Sequence, residues 1–119
     1  MFAIRARAQL IFAAFCTAAL LWPFGLPAQE ITFLRIGTGS TAGTYFPIGG
    51  IIASAISKPP GSRDCEVGGS CGVPGLIAVA QSTEGSVANV MGIADGTLES
   101  GLSQADISFW AYQGERIFK

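Results

Sequence analysis

The chain has no histidine among its 119 residues, and only 13% of them are charged, where soluble domains carry roughly 25%. The absence of histidine excludes a Ser-His-Asp triad, a Cys-His pair, an HExxH zinc site and a histidine pH switch. The formal net charge is −1, so there is no basic excess for binding phosphates, and we expect no nucleic-acid partner. The 16 glycines argue against a long coiled coil.

Apolar residues are instead concentrated at the N-terminus. Arg5 and Arg7 form a short basic region, and an uncharged run then extends from Leu10 to Trp22 before prolines and a glycine interrupt it. This order is typical of a secretory signal peptide, and the run is shorter than the ~20 residues that a bilayer-spanning helix needs. We predict that residues 1–28 are a cleaved Sec-type signal peptide and that the protein is periplasmic. The alternative is an uncleaved membrane anchor.

The segment after residue 28 holds two cysteines, Cys65 and Cys71, which is an even number for an oxidising compartment. Gly68 and Gly69 lie between them, so the chain can fold back there. We predict a disulfide, which stabilises a loop this short by about 2–2.5 kcal/mol in the chain-entropy description. The alternative is two free thiols. We expect no metal site, because zinc needs further ligands that the sequence does not supply nearby.

Hydrophobic patterns after residue 28 predict alternating strands and helices. The predicted strands cover residues 31–36, 76–81 and 100–104, the second being a continuous apolar run typical of a strand buried on both faces. A helix follows each strand, and this alternation predicts an α/β fold with a parallel sheet and helices on its faces.

The three predicted helices begin near Pro47, Ser82 and Asp106, with Asp106 as a cap and Gly114 at the end of the third. Apolar residues at helical spacing predict the buried stripes of the first two helices. For the first helix these are Ile48, Ile51, Ile52 and Ile56; for the second, Val87, Val90, Met91, Ala94 and Leu98. The aromatics Phe109, Trp110 and Tyr112 are predicted to be core residues of the third helix.

Three loops follow the predicted strands and lead into the helices, at residues 37–45, 82–86 and 104–106. Ligands of parallel α/β sheets bind outside the carboxyl ends of the strands, where helix N-termini attract anions. Glycines in these loops allow close approach, and serine and threonine hydroxyls add neutral donors. The loops therefore predict a site for a small carboxylate-bearing ligand. The alternative is that the same hydroxyl residues only cap the helices.

The first loop also matches the dinucleotide pattern G-x-G-x-x-A over Gly37–Ala42. The acid that would bind the ribose could only be Asp64 or Glu66, beside the cysteines, so we expect no cofactor. A secreted enzyme that holds a phosphate with this loop remains an alternative. The lack of histidine and of clustered carboxylates disfavours it, and we expect no enzymatic activity and no catalytic residue.

Three stretches together resemble the TAXI-type solute receptors of TRAP transporters. The opening motif is Ile36-Gly-Thr-Gly-Ser-Thr-Ala-Gly-Thr-Tyr-Phe-Pro-Ile-Gly-Gly, and Gln81-Ser-Thr-Glu-Gly-Ser-Val-Ala-Asn is similar to the family's second motif. The third is Gln104-Ala-Asp-Ile-Ser-Phe-Trp-Ala-Tyr-Gln-Gly. Order and spacing agree over roughly residues 31–114, which is nearly all of the segment after the signal peptide.

The resemblance implies a periplasmic-binding-protein-like (type II) fold with two α/β lobes, of which residues 29–119 are the N-terminal portion of the first. It implies a receptor for a small organic anion, such as a dicarboxylate or an acidic amino acid, that delivers its ligand to the membrane permease subunits of a TRAP transporter. The ligand contacts that it implies are Gly39, Thr41, Gly43, Thr44, Tyr45, Ser82, Thr83, Ser86, Gln104 and Asp106. For Asp106, capping is the alternative, because its charge would repel an anion.

Receptors of that family are much longer than this chain, so the resemblance implies that the second lobe is missing. We therefore expect a truncated receptor, marginally folded alone, because a small parallel sheet leaves exposed edges and poorly covered faces. An interaction protein anchored by an uncleaved N-terminus is a further alternative.

Overall fold

The structure is a computed structural model that describes residues 30–119, so the predicted signal peptide, residues 1–28, lies outside the described residues. The strands are β1 (Thr32–Gly37), β2 (Ser57–Lys58), β3 (Val73–Pro74), β4 (Leu76–Gln81) and β5 (Ser100–Gly101). The helices are α1 (Tyr45–Ile56), α2 (Ser86–Ala94) and α3 (Ala105–Gln113), with short 3-10 turns at Cys65–Val67 and Arg116–Phe118. Within residues 30–119, no helix is both long enough and apolar enough to cross a membrane.

The main sheet has three parallel strands in the order β4-β1-β5, which confirms the predicted α/β fold. Thr32 pairs with Leu76 at one end of the β1–β4 ladder and Gly37 with Gln81 at the other. The prediction that both faces of β4 are buried is wrong, because Ala78 is buried on the face towards α1 whereas Val79, on the opposite face, is exposed. The third strand is shorter than predicted, since only Ser100 and Gly101 pair with β1.

Helix α1 packs on one face of this sheet through small residues. Gly49 and Ala53 are its buried positions, whereas the predicted stripe is wrong for Ile48, Ile51 and Ile52, which are exposed. The reason is the short distance between helix and sheet, since a Cβ at Gly49 would overlap the Thr38 side chain. The apolar core under α1 consists of Ile36, Ala53 and Ala78, with Leu34 and Ile56 packed against it.

Helix α2 lies against the strand ends in a similar way. Its buried residues are Ser86, Asn89 and Gly92, so the predicted stripe is wrong for Met91 and Ala94, which are exposed. Val87 and Val90 are half-buried, and Leu98, beyond the helix, is buried as predicted. Gly37 in β1 and Gly101 in β5 let α2 approach the strand backbones closely. The face of α2 that lies against these strands therefore has no room for large apolar side chains.

Helix α3 begins at Ala105 with Gln104 as its N-cap residue, so Asp106 is not the N-cap residue as predicted, although its carboxylate accepts a hydrogen bond from the first-turn N–H of Ile107. Gly114 ends the helix as predicted, in the left-handed conformation with φ 64°. The prediction of an aromatic core is also wrong, because Tyr112 is 87% exposed and α3 has no buried residue. Trp110 is half-buried, and the Arg116 guanidinium lies 4.4 Å from the centre of its ring.

The cysteine loop is a separate small unit. Cys65 and Cys71 form a disulfide, as predicted, and the parallel pair β2–β3 closes the base of the loop. A Cβ at Gly69 would overlap the Arg63 carbonyl, so a glycine is required where the loop folds back.

Candidate functional site

The site is a cleft at the carboxyl edge of the sheet, where each of the three strands gives way to a loop and then a helix. The cleft is open and has a volume of about 400 Å³. Its lining residues are Gly43, Thr44, Tyr45, Glu84, Gly85, Ser86 and Gln104. These residues come from the starts of α1, α2 and α3, so three helix N-termini meet at one cavity.

The N-cap residues of these three helices do not close the helix starts with their own side chains. Thr44, Gly85 and Gln104 are the N-cap residues of α1, α2 and α3, and none makes a side-chain capping hydrogen bond. Among the hydroxyl residues of the loops, Thr44 is therefore an N-cap residue by position but makes no capping bond with its side chain. The first N–H groups of a helix have no partner within it, and the macrodipole adds partial positive charge there. The cleft thus offers several backbone donors to an anion.

Five of the predicted contact residues line this cleft: Gly43, Thr44, Tyr45, Ser86 and Gln104. Ser86 is buried, and its Oγ accepts a hydrogen bond of 3.0 Å from the Gln104 N–H, which joins the starts of α2 and α3. Gly85 has a φ of 96°, a backbone conformation that glycine adopts without strain. These five residues are therefore brought together at one cleft, and their contact with a ligand remains a prediction.

The other five predicted residues, Gly39, Thr41, Ser82, Thr83 and Asp106, are not among those that line the cleft. Three of them connect the first two loops, since the Gly39 carbonyl accepts bonds from the Ser82 hydroxyl at 2.9 Å and the Thr83 N–H at 3.3 Å. Thr41 and Asp106 are exposed, and the Asp106 Oδ1 accepts a bond of 2.9 Å from the Ile107 N–H. Their roles in binding remain predictions.

Asn89 is the main structural residue of the site that sequence reasoning missed. Its side chain is 0% exposed, and its Nδ2 donates to the carbonyl oxygens of Thr38 and Leu102, each at 2.7 Å. Its Oδ1 accepts a bond of 2.7 Å from the Thr83 hydroxyl. One amide therefore holds together the loops that follow β1, β4 and β5, and so fixes the spacing of the helix starts around the cleft.

Two glycines make room for Asn89. A Cβ at Gly37 would overlap the Asn89 side chain, and a Cβ at Gly101 would lie 2.9 Å from its Cβ. Thr38 beside it is also fully buried, and its hydroxyl donates to the Gln81 carbonyl at 2.7 Å. A polar residue at a buried helix position opposite glycines in two strands is the signal that could have identified it.

Glu84 is the second residue that sequence reasoning missed. It is exposed and lines the cleft directly before Gly85. Within residues 30–119, its carboxylate has no hydrogen-bond or salt-bridge partner, and no lysine or arginine lines the cleft. The charge at this edge is therefore mixed, with a carboxylate beside partially positive helix starts.

A separate ion pair joins β1 to the residue before β5, away from the cleft lining. The Arg35 guanidinium and backbone N–H both donate to the Glu99 carboxylate, the backbone bond being 2.7 Å. The guanidinium lowers the pKa of Glu99 to about 2, and the carboxylate raises the pKa of Arg35. In the described part of the chain, no group of three acidic or cysteine side chains is placed to hold a metal ion.

A three-stranded parallel sheet with flanking helices and a ligand-sized cleft at its carboxyl edge is consistent with part of a periplasmic-binding-like lobe. The family model described as the NMT1-like family matches residues 36–119, which is well over half of the chain. The chain belongs to this family, which is periplasmic-binding-like and points to a solute-binding or receptor role in general. The finer assignment to TAXI-type receptors remains a prediction.

Proposed function

We propose that the chain is an extracytoplasmic solute receptor of the TAXI type, without enzymatic activity, that binds a small organic anion for a TRAP permease. The ligand class is a carboxylate such as a dicarboxylate or an acidic amino acid. The observation that carries the proposal is the meeting of three helix starts at one cleft, none with a side-chain bond from its N-cap residue. Membership in the NMT1-like family supports the receptor role.

The lining chemistry suits a carboxylate in the cleft. Backbone N–H groups at helix starts bind anions without a cationic side chain, and glycines at Gly43 and Gly85 allow close approach. The Thr44 and Ser86 hydroxyls add neutral donors, and Tyr45 contributes an aromatic wall. A volume of about 400 Å³ is at the small end of ligand pockets, as expected for a small organic acid.

Isothermal titration of the purified protein with succinate, malate, glutamate and glutarate tests binding directly, with methylamine as a cationic control. The proposal predicts saturable one-site binding of at least one carboxylate and none of methylamine. Absence of binding by every carboxylate would contradict it.

A pair of threonine variants tests the location of the site. Thr44 lines the cleft and Thr41 does not, although both lie in the same exposed loop. Thr44→Val keeps the side-chain shape and removes one neutral hydrogen bond, so affinity should fall about three- to tenfold. Thr41→Val should leave affinity unchanged. Equal effects of the two variants would place the ligand elsewhere.

Export is part of the same proposal. The apolar segment Leu10–Trp22 supports a signal peptide that is removed on secretion. Intact mass measured on a periplasmic fraction should correspond to a chain that begins near Gln29. A protein that retains Met1 in the membrane fraction would favour the uncleaved anchor instead.

A further inference from the structure

The cleft contains one carboxylate that an anion site does not need. Glu84 lines it together with the starts of the three helices, and no lysine or arginine among the described residues lines it. Neither a hydrogen bond nor a salt bridge engages the Glu84 carboxylate within residues 30–119. A ligand that carried only negative charge would therefore be repelled by Glu84 with no cationic side chain to compensate.

We propose that Glu84 determines ligand specificity by accepting an ammonium group, so that the cleft prefers an α-amino acid to a carboxylic acid that lacks the amine. This inference rests on the function proposed above and refines its ligand class. The ligand carboxylate lies at the helix starts, and the ammonium group lies beside Glu84, at the start of α2. The negative carboxylate of the ligand then meets the partially positive helix starts, and its positive ammonium group meets the negative Glu84 side chain.

The spacing along the chain supports this arrangement. Glu84 directly precedes Gly85, the N-cap residue of α2, and Ser86, its first residue, and all three line the cleft. In an α-amino acid the ammonium and carboxylate groups are attached to the same carbon. A carboxylate held at the N–H groups of α2 therefore has its ammonium group within reach of the preceding residues.

The test compares ligands that differ in the amine alone. Glutamate and glutarate form one such pair, and alanine and propionate form a second pair without the second carboxylate. The wild-type protein should bind the amino acid of a pair at least about fivefold more tightly than its partner, as expected for one partly exposed ion pair. Isothermal titration at fixed, low ionic strength gives all four dissociation constants.

Glu84→Gln should move the two members of a pair in opposite directions. The amino acid loses its ion pair and should bind about fivefold more weakly, while the acid loses a repulsion and should bind more tightly. Glu66→Gln is the matched control, because Glu66 lies in the cysteine loop, away from the cleft lining. That variant should leave the preference unchanged.

The possible failures are distinct. If carboxylic acids bind as tightly as amino acids, or if Glu84→Gln shifts both in the same direction, the role of Glu84 is refuted and the receptor function stands. If no ligand of either pair binds, and none of the other carboxylates does, the proposed function itself fails, and this inference fails with it.

Discussion

The Asn89 side-chain amide donates to the Thr38 carbonyl oxygen at 2.7 Å, and both residues are 0% exposed. This bond joins the middle of α2 to the end of β1, and a second bond from the same amide reaches Leu102 after β5. Where α2 crosses the strand ends, it is therefore held by the hydrogen bonds of Asn89 and not by a large apolar side chain. The shape of the cleft depends on these hydrogen bonds, because the loops that they join lead into the three helix starts.

Replacement of Asn89 should be strongly destabilising. Asn89→Ala leaves buried carbonyl oxygens without their amide donor and opens a small cavity, so the free energy of unfolding should fall by about 2–4 kcal/mol. Asn89→Asp should cost at least as much at neutral pH, because a carboxylate oxygen would then face the Thr38 and Leu102 carbonyls. Urea unfolding followed by circular dichroism measures both. If Asn89→Asp lowered the free energy of unfolding by less than about 1 kcal/mol, the hydrogen bonds from Asn89 to Thr38 and Leu102 would be refuted.

Two adjacent glycines of α1 should respond to alanine in opposite ways. A Cβ at Gly49 would overlap the buried Thr38 side chain, so Gly49→Ala should destabilise the protein by about 1–3 kcal/mol. A Cβ at Gly50 meets nothing within 4 Å, so Gly50→Ala should stabilise the helix by about 0.5–1 kcal/mol. Urea midpoints of the two variants, compared with wild type, give the sign of each effect. Effects of the same sign would contradict the close packing of α1 on the sheet.

Stability should depend on pH through the ion pair of Arg35 and Glu99. The pKa of Glu99 is lowered from 4.5 to about 2, chiefly by the hydrogen bond from Arg35. The folded state then binds fewer protons than the unfolded state between these values. The stabilising effect is complete above pH 4.5 and is lost as the pH falls through about 2.

The measurement for this ion pair is the difference in urea midpoint between wild type and Glu99→Gln across the pH range. The difference should be constant at neutral pH and shrink progressively below pH 4.5. Glu66→Gln serves as the control, since Glu66 has no ion-pair partner among the described residues. A difference that stays constant down to pH 2.5 would show that Glu99 is not paired in solution.

The disulfide should affect stability without affecting the cleft. Replacing both Cys65 and Cys71 with serine should lower the free energy of unfolding by about 2 kcal/mol, because the bond restricts a short loop of the unfolded chain. The loop does not contribute to the cleft lining, so ligand affinity should not change. A parallel loss of affinity, measured by titration of the folded variant, would show that the loop and the cleft are coupled.

The order of strands and helices could be predicted from the sequence because hydrophobic periodicity and turn residues are local signals. The apolar run predicts a strand at residues 76–81, and β4 covers Leu76–Gln81. The buried helix faces could not be predicted in the same way. In α1, Ile48, Ile51 and Ile52 are exposed and Gly49 and Ala53 face the sheet, because the distance between helix and sheet is a property of the packed fold.

For the candidate site, too, local features could be predicted from the sequence and contacts between distant segments could not. Glycine and hydroxyl residues after strands indicated the loops, and five of the ten predicted contacts line the cleft. The role of Asn89 depends on three loops that are distant in sequence, so a polar residue in a helix can mark its position but the loops that it joins are visible only in the folded structure. The sequence does not single out Glu84, because the proposed role of Glu84 depends on which residues surround it. Only the folded structure shows that no basic side chain lines the described cleft beside it.

In the proposed mode of binding, three helix starts together hold a carboxylate ligand. A ¹⁵N-edited NMR titration of the purified protein with glutamate tests it most directly, since each backbone amide reports its own surroundings. The account predicts saturable shifts concentrated at the amides of residues 43–45, 84–86 and 104–105, with a single dissociation constant. Shifts confined to one helix start, or located away from the cleft, would contradict it.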